Sequence, residues 1–120
     1  MNLMQVDWRK PYMKTEQNQN EKIVKKGGAN LQKGVETVGG FLYLTNQRLI
    51  FEAHAINIQG GNTLIDLSDV ASTEKCWTKF LNVIPIMPNS LAVYTKSGEE
   101  YRFVLFGRGA WQLKINESLQ

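Results

Sequence analysis

The chain has 120 residues, a net charge of +3 and one cysteine. That length fits one domain whose core needs no metal or disulfide support. Cys76 alone excludes an internal disulfide and fits a reducing compartment. No apolar run approaches the ~20 residues of a membrane-spanning helix, and the N-terminus lacks the apolar core of a signal peptide. The expectation is therefore a cytoplasmic protein, at most peripheral to a membrane.

The charge is unevenly placed. Up to Val35, seven basic residues face three acidic ones, whereas the remainder carries seven basic and eight acidic residues. Such asymmetry marks either an anionic partner or an edge strand whose lysines discourage strand pairing.

Residues 1–20 read as an N-terminal extension, and residues 21–120 as the folded domain. Leu3, Met4 and Trp8 fit one helical face, which Pro11 ends. Thr15 to Asn20 is polar and unpatterned, as in a linker. Trp8 is placed either against the domain surface or at a membrane interface, with Arg9 and Lys10 near acidic lipid.

Glu21 to Lys33 predicts the first strand, with a bulge at Gly27-Gly28 that bends it. A second strand runs from Glu36 to Leu44 and a third from Arg48 to about His54. Leu42 and Leu44 alternate with Phe41 and Tyr43, and Leu49, Phe51 and Ala53 alternate with Ile50, Glu52 and His54. This is the period of a half-buried strand. Thr45-Asn46-Gln47-Arg48 forms the turn between them, and Gly39-Gly40 marks a bulge or a close approach of another segment. Ala55 to Gly61 reads as a loop, Asn62 to Leu67 as a short strand, Ser68-Asp69 as a corner, and Val70 to Trp77 as a fifth strand.

Phe80 to Asn89 is rich in large apolar residues but contains Pro85 and Pro88, which exclude a regular central strand or helix. It is expected to be a loop, either buried at one end of a barrel or exposed as a contact surface. Leu91 to Thr95 and Tyr101 to Leu105 form a hairpin about Lys96-Ser97-Gly98-Glu99. In the terminal stretch Ala110 to Leu119, Trp111, Ile115 and Leu119 share one helical face and must bury it.

The run Gly39-Gly40-Phe41-Leu42-Tyr43-Leu44-Thr45-Asn46-Gln47-Arg48-Leu49-Ile50-Phe51 resembles the GRAM domain, a member of the pleckstrin-homology-like superfamily. Ile65-Asp66-Leu67-Ser68-Asp69-Val70, Pro88 to Leu91, Gly98 to Phe103, and Arg108 with Trp111 and Ile115 extend the likeness. Gly27-Gly28-Ala29-Asn30 ahead of the hairpin is similar to compact stand-alone bacterial members. The resemblance covers roughly Glu21 to Glu117. It implies a mainly β, PH-like barrel of two near-orthogonal antiparallel sheets, about seven strands, capped by one C-terminal α-helix with Trp111 as the plug.

The resemblance also implies a binding module rather than an enzyme. In relatives, lipid headgroups meet loops at one barrel end. The corresponding loops here are Gln32-Lys33-Gly34, Ala55 to Gly61 and Lys96-Ser97-Gly98. They carry little charge and none of the arginines that favour bidentate phosphate contact. The candidate ligand-binding residues are Lys22, Lys25, Lys26, Lys33, His54 and Lys96. The candidate membrane or partner contacts are Trp8, Phe80, Leu81, Ile84 and Met87.

The residues give no catalytic arrangement. His54 and Cys76 are far apart in sequence, no Cys/His spacing fits a metal, and Asp66 and Asp69 flank a corner where carboxylates usually serve backbone groups. No cofactor is expected. Nucleic acid is disfavoured because the alternation assigns most aromatics to the core and the basic excess is small. Two partner classes are left open: an acidic membrane surface, or a protein partner that includes a second copy of the chain.

Overall fold

A computed structural model describes residues 13–33, 36–54, 62–80 and 84–119. The strands are β1 (Ile23–Lys33), β2 (Glu36–Thr45), β3 (Arg48–Ala53), β4 (Thr63–Asp66), β5 (Val70–Phe80), β6 (Ile84–Thr95) and β7 (Glu100–Leu105). A 3-10 turn, Leu67–Asp69, links β4 to β5, and the helix α1 (Arg108–Ser118) follows β7.

All pairs are antiparallel, in the order β4-β3-β2-β1-β7-β6-β5. The sheet curls into a half-barrel, as a PH-like fold requires. β1 is the hinge between its halves, because it pairs with β2 on one side and β7 on the other.

Strand alternation decides what fills the curl. Leu31 of β1, Leu42 and Leu44 of β2, Leu49 and Phe51 of β3, and Leu91, Val93, Phe103 and Leu105 of the other half form one buried cluster. Each such side chain contributes about 1.5–3 kcal/mol on leaving water. The rings of Phe51 and Phe103 join the halves, tilted at 47° with centroids 6.0 Å apart. The stripe of α1 closes the cluster, with Trp111 only 3% exposed and Ile115 beside it. The helix starts at Gly107, whose φ of 68° is the left-handed conformation that glycine adopts without strain.

Three local expectations are corrected. Ile84 to Asn89 is the first half of β6, not a loop. Pro85 and Pro88 are tolerated because β7 pairs with β6 only from Ser90 onwards, so one edge of this half needs no N–H donor. Register shifts near Thr78 take up the irregularity on the β5 side.

Gly27 and Gly28 pair in register with Leu42 and Phe41, and the irregularity of β1 lies instead between Ile23 and Lys25. Gly27 makes room for Trp111, since a β-carbon there would sit 3.6 Å from Cζ2 of the indole. Residues 15–20, read above as a linker, are hydrogen-bonded to the outer face of the sheet. At Gly39-Gly40 it is close approach that operates: a side chain on Gly40 would collide with the Glu52 carbonyl and the Phe51 ring.

Candidate functional site

Two surfaces stand out. The first lies on the outer side of β2 and β3, where Tyr43, Ile50 and Glu52 are buried although they point away from the core. Residues 13–20 cross this face as a strap. Both oxygens of Glu52 accept from the Lys14 N–H, at 3.1 and 2.9 Å, and Oε2 also accepts from the Thr15 N–H and hydroxyl, each at 2.7 Å. Further along, Arg48 donates to the Glu16 carbonyl and to both carboxylate oxygens of Glu21.

Thr45 Oγ1 donates to Glu21 and accepts from the Gln47 and Arg48 N–H groups, so the β2–β3 turn and the strap share one buried polar knot. Hydrogen bonding from Arg48, helped by Thr45 and the Asn18 N–H, lowers the Glu21 carboxyl to about pH 2 against the opposing cost of burial. Every buried side-chain polar atom among the described residues has a partner. This face is occupied, and its chemistry is structural.

The second surface is an open seam. β7 meets β1 only from Ala29 to Gln32, and β6 only from Ser90 to Tyr94. Beyond Leu105 the chain leaves through Phe106 and Gly107 into α1, while β1 and β6 both continue. Their facing edges, Ile23–Gly28 and Ile84–Asn89, pair only with β2 and β5 respectively among the described residues.

A cavity of about 860 Å³ lies at this gap. Gly28, Ala29 and Asn30 form its β1 wall and Met87, Pro88 and Asn89 its β6 wall, with Phe106 to Gly109 between them. Among the described residues that line it, His54 and Arg108 are ionisable and none is a carboxylate. Phe106 is 97% exposed and Met87 54%. Trp77, on the neighbouring strand, is 49% exposed.

The polar groups around the seam are held by their neighbours. Arg108 Nη1 donates to the Cys76 carbonyl at 2.7 Å, which ties the helix start to β5. Lys75 reaches toward Gly109. Lys25 Nζ lies 5.2 Å from the centre of the Trp111 ring, a cation–π distance. His54 and Asn30 flank Gly39 on the outer face, and a β-carbon on Gly39 would lie 3.6 Å from the imidazole and 3.1 Å from the amide oxygen.

The residues singled out from sequence are dispersed. Lys22, Lys25 and Lys26 open β1 opposite the β2–β3 turn, whereas Lys33 closes the same strand at its far end. Lys25 is turned to Trp111 on the core side, and Lys26 to the outer side with Tyr43. Lys96 sits in the β6–β7 turn, where its N–H donates to the Asp69 carbonyl and the Asp69 side chain accepts from Ser97. His54 and Met87 share the cavity. Phe80 ends β5 and Ile84 begins β6, whereas Trp8 and Leu81 lie outside the described residues. The sequence reading missed Phe106 and the groove use of Arg108. Gly107-Arg108-Gly109 was legible as a break and Arg108 as part of the family likeness, but an exposed aromatic directly after a strand leaves no periodic trace. No group of three His, Cys, Asp or Glu suited to a metal occurs among the described residues.

Residues 9–118 match the model of the GRAM domain. The chain belongs to this family. Solved structures with the same fold include the C-terminal domain of an unknown protein from Leishmania infantum, with TM-score 0.67 at 14% identity over 85% of this chain and 88% of that one. The Vps36 N-terminal PH domain gives 0.63 at 21% identity over 87% and 83%. The Slm1-PH domain in complex with D-myo-inositol-4-phosphate gives 0.56 at 13% identity over 79% and 95%. At such identities these structures speak for the fold alone. No curated protein matches the sequence. GRAM and PH-like domains are lipid- or protein-binding modules, and the seam of this GRAM domain holds an open cavity.

Proposed function

We propose that this GRAM domain is a non-catalytic binding module that takes up a segment of a protein partner in the open seam between β1 and β6. The cavity at the end of β7 carries this reading, because it joins an apolar rim, Met87 and Phe106, to unpaired strand backbone. Such a combination accepts chain segments: main-chain groups supply affinity, and side-chain pockets supply selectivity. The test is to pan a random-peptide display library against the full chain and compete the selected binders with the Phe106→Ser and Met87→Ser variants. Binders that lose affinity for both variants support the reading. A library that yields none overturns it.

A second reading, peripheral contact with an acidic membrane, draws on the exposure of Phe106, Met87 and Trp77 near Arg108 and Lys75. Lys22, Lys25 and Lys26 would add salt-sensitive attraction of about 1 kcal/mol each near acidic lipid. Lys33, His54 and Lys96 are the candidate headgroup contacts, and Phe80, Ile84, Leu81 and Trp8 the candidate apolar ones. We propose a cytoplasmic location, which the lone Cys76 fits. Flotation with acidic vesicles at low salt decides the second: a chain that stays with the soluble fraction removes it.

A further inference from the structure

We infer that the seam is a strand-addition site on β1, and that its occupant is an extended peptide segment with an acidic half and an apolar half. The inference rests on the protein-segment reading above and adds the accepting edge, the geometry and the charge of the partner.

The two facing edges are not equivalent. On β6, Pro85 and Pro88 lack N–H groups, so that edge is a poor template for a new ladder. On β1, no residue from Ile23 to Gly28 is proline, and the alternate N–H groups that turn away from β2 have no strand partner among the described residues. Gly28 adds no side chain to the approach, since a β-carbon there would meet nothing within 4 Å. The six positions span about 20 Å, the length of an ordinary strand. A segment laid along them continues the line that β7 abandons at Leu105.

Side chains along that line set the occupant. At one end stand Lys22, Lys25 and Lys26, with Ile23 and Val24 partly exposed between them at 39% and 44%. No acidic residue lies between Lys22 and Gly28, and none lines the cavity among the described residues, whereas Arg108 does. At the other end, Gly28 gives way to Met87 and Phe106. A partner segment therefore sets carboxylates against the lysine end and branched or aromatic side chains against the Phe106 end. A basic segment is repelled, and a segment with central proline cannot complete the ladder.

The test is a titration of the full chain with a capped peptide about eight residues long, acidic in one half and apolar in the other. A basic counterpart and a central-proline version serve as controls. Amide shifts and hydrogen exchange are followed at Ile23 to Gly28. The acidic–apolar peptide is expected to bind, protect the alternate amides among these that face away from β2, and weaken with salt. The proline version is expected to fail. Replacing exposed Lys22 and Lys26 (Lys22→Glu with Lys26→Glu) is expected to weaken it at least about tenfold and to favour the basic peptide.

Equal binding of both charges, binding without protection of β1, or no binding of any peptide overturns the inference. Protection produced by anionic vesicles and not by peptide overturns it too. If library-selected binders compete at Phe106 yet are neutral or helical, the seam reading stands and strand addition alone falls. If the library yields none, both fall.

Discussion

Glu21 and Arg48 form a two-point pair, Nε to Oε2 at 2.8 Å and Nη2 to Oε1 at 3.0 Å, with both side chains nearly sealed from water. The pair joins the segment before β1 to the first residue of β3, and Arg48 reaches on to the Glu16 carbonyl. Truncating one partner strands the other as a buried charge. Arg48→Ala is therefore expected to destabilise the fold by about 3–5 kcal/mol, measured by urea unfolding. Replacing both members with apolar residues of similar volume is expected to recover much of that loss.

The same pair sets an acid limit. The folded-state value of Glu21, about 2, lies below its ordinary value of 4.5. The stabilisation is thus complete above about pH 5 and is lost as pH falls from there toward 2, on the order of 2–3 kcal/mol in all. Glu21→Gln is expected to flatten this part of the stability–pH curve, as read by thermal unfolding at stepped pH. An unchanged slope would remove Glu21 as its cause.

Two glycines make opposite predictions. A methyl group on Gly40 has nowhere to go, because β3 backbone occupies its place. Gly40→Ala is expected to cost at least about 2 kcal/mol or to prevent folding. Gly28→Ala meets open space, and its expected effect is within about 0.5 kcal/mol. Parallel denaturant titrations check both.

The strap depends on one carboxylate. Glu52→Ala removes the acceptor for the Lys14 and Thr15 N–H groups and the Thr15 hydroxyl. The expected result is faster amide exchange at Lys14 and Thr15 and earlier proteolytic cutting between residues 13 and 20, with the β6–β7 hairpin unchanged. Uniform loss of protection across the sheet would show that the carboxylate supports the whole fold instead.

What the sequence disclosed follows from what repeats in it. The alternation in β2, β3 and β7 and the four-residue spacing of Trp111 and Ile115 were legible because each side chain reports its own face. The turn at Thr45 was legible too, since its hydroxyl accepts from Gln47 and Arg48 as turn chemistry predicts. The Asn46 side chain took an unexpected role: it ties the turn to the Lys22 N–H and the Asn20 carbonyl, and Asn20 is the one non-glycine residue with positive φ among the described residues. The strap was illegible because it is held largely through backbone groups, the Lys14 and Thr15 N–H and the Glu16 carbonyl, which every sequence possesses. The seam was illegible for a related reason: it arises from a mismatch in length between β7 and its neighbours, and pairing partners leave no local mark. For β6, the prolines truly signalled an unpaired edge, but that edge belongs to a strand rather than a loop.

β1 is held on one flank by a strand that follows it directly and on the other by residues near the end of the chain, Ala29 with Leu105 and Gln32 with Arg102. During synthesis, the first hairpins leave the ribosome with one side of β1 bare, and closure waits until β7 has emerged. The lysines at its start guard this bare edge against the wrong neighbour, and β7 later covers only the far end, from Ala29 to Gln32.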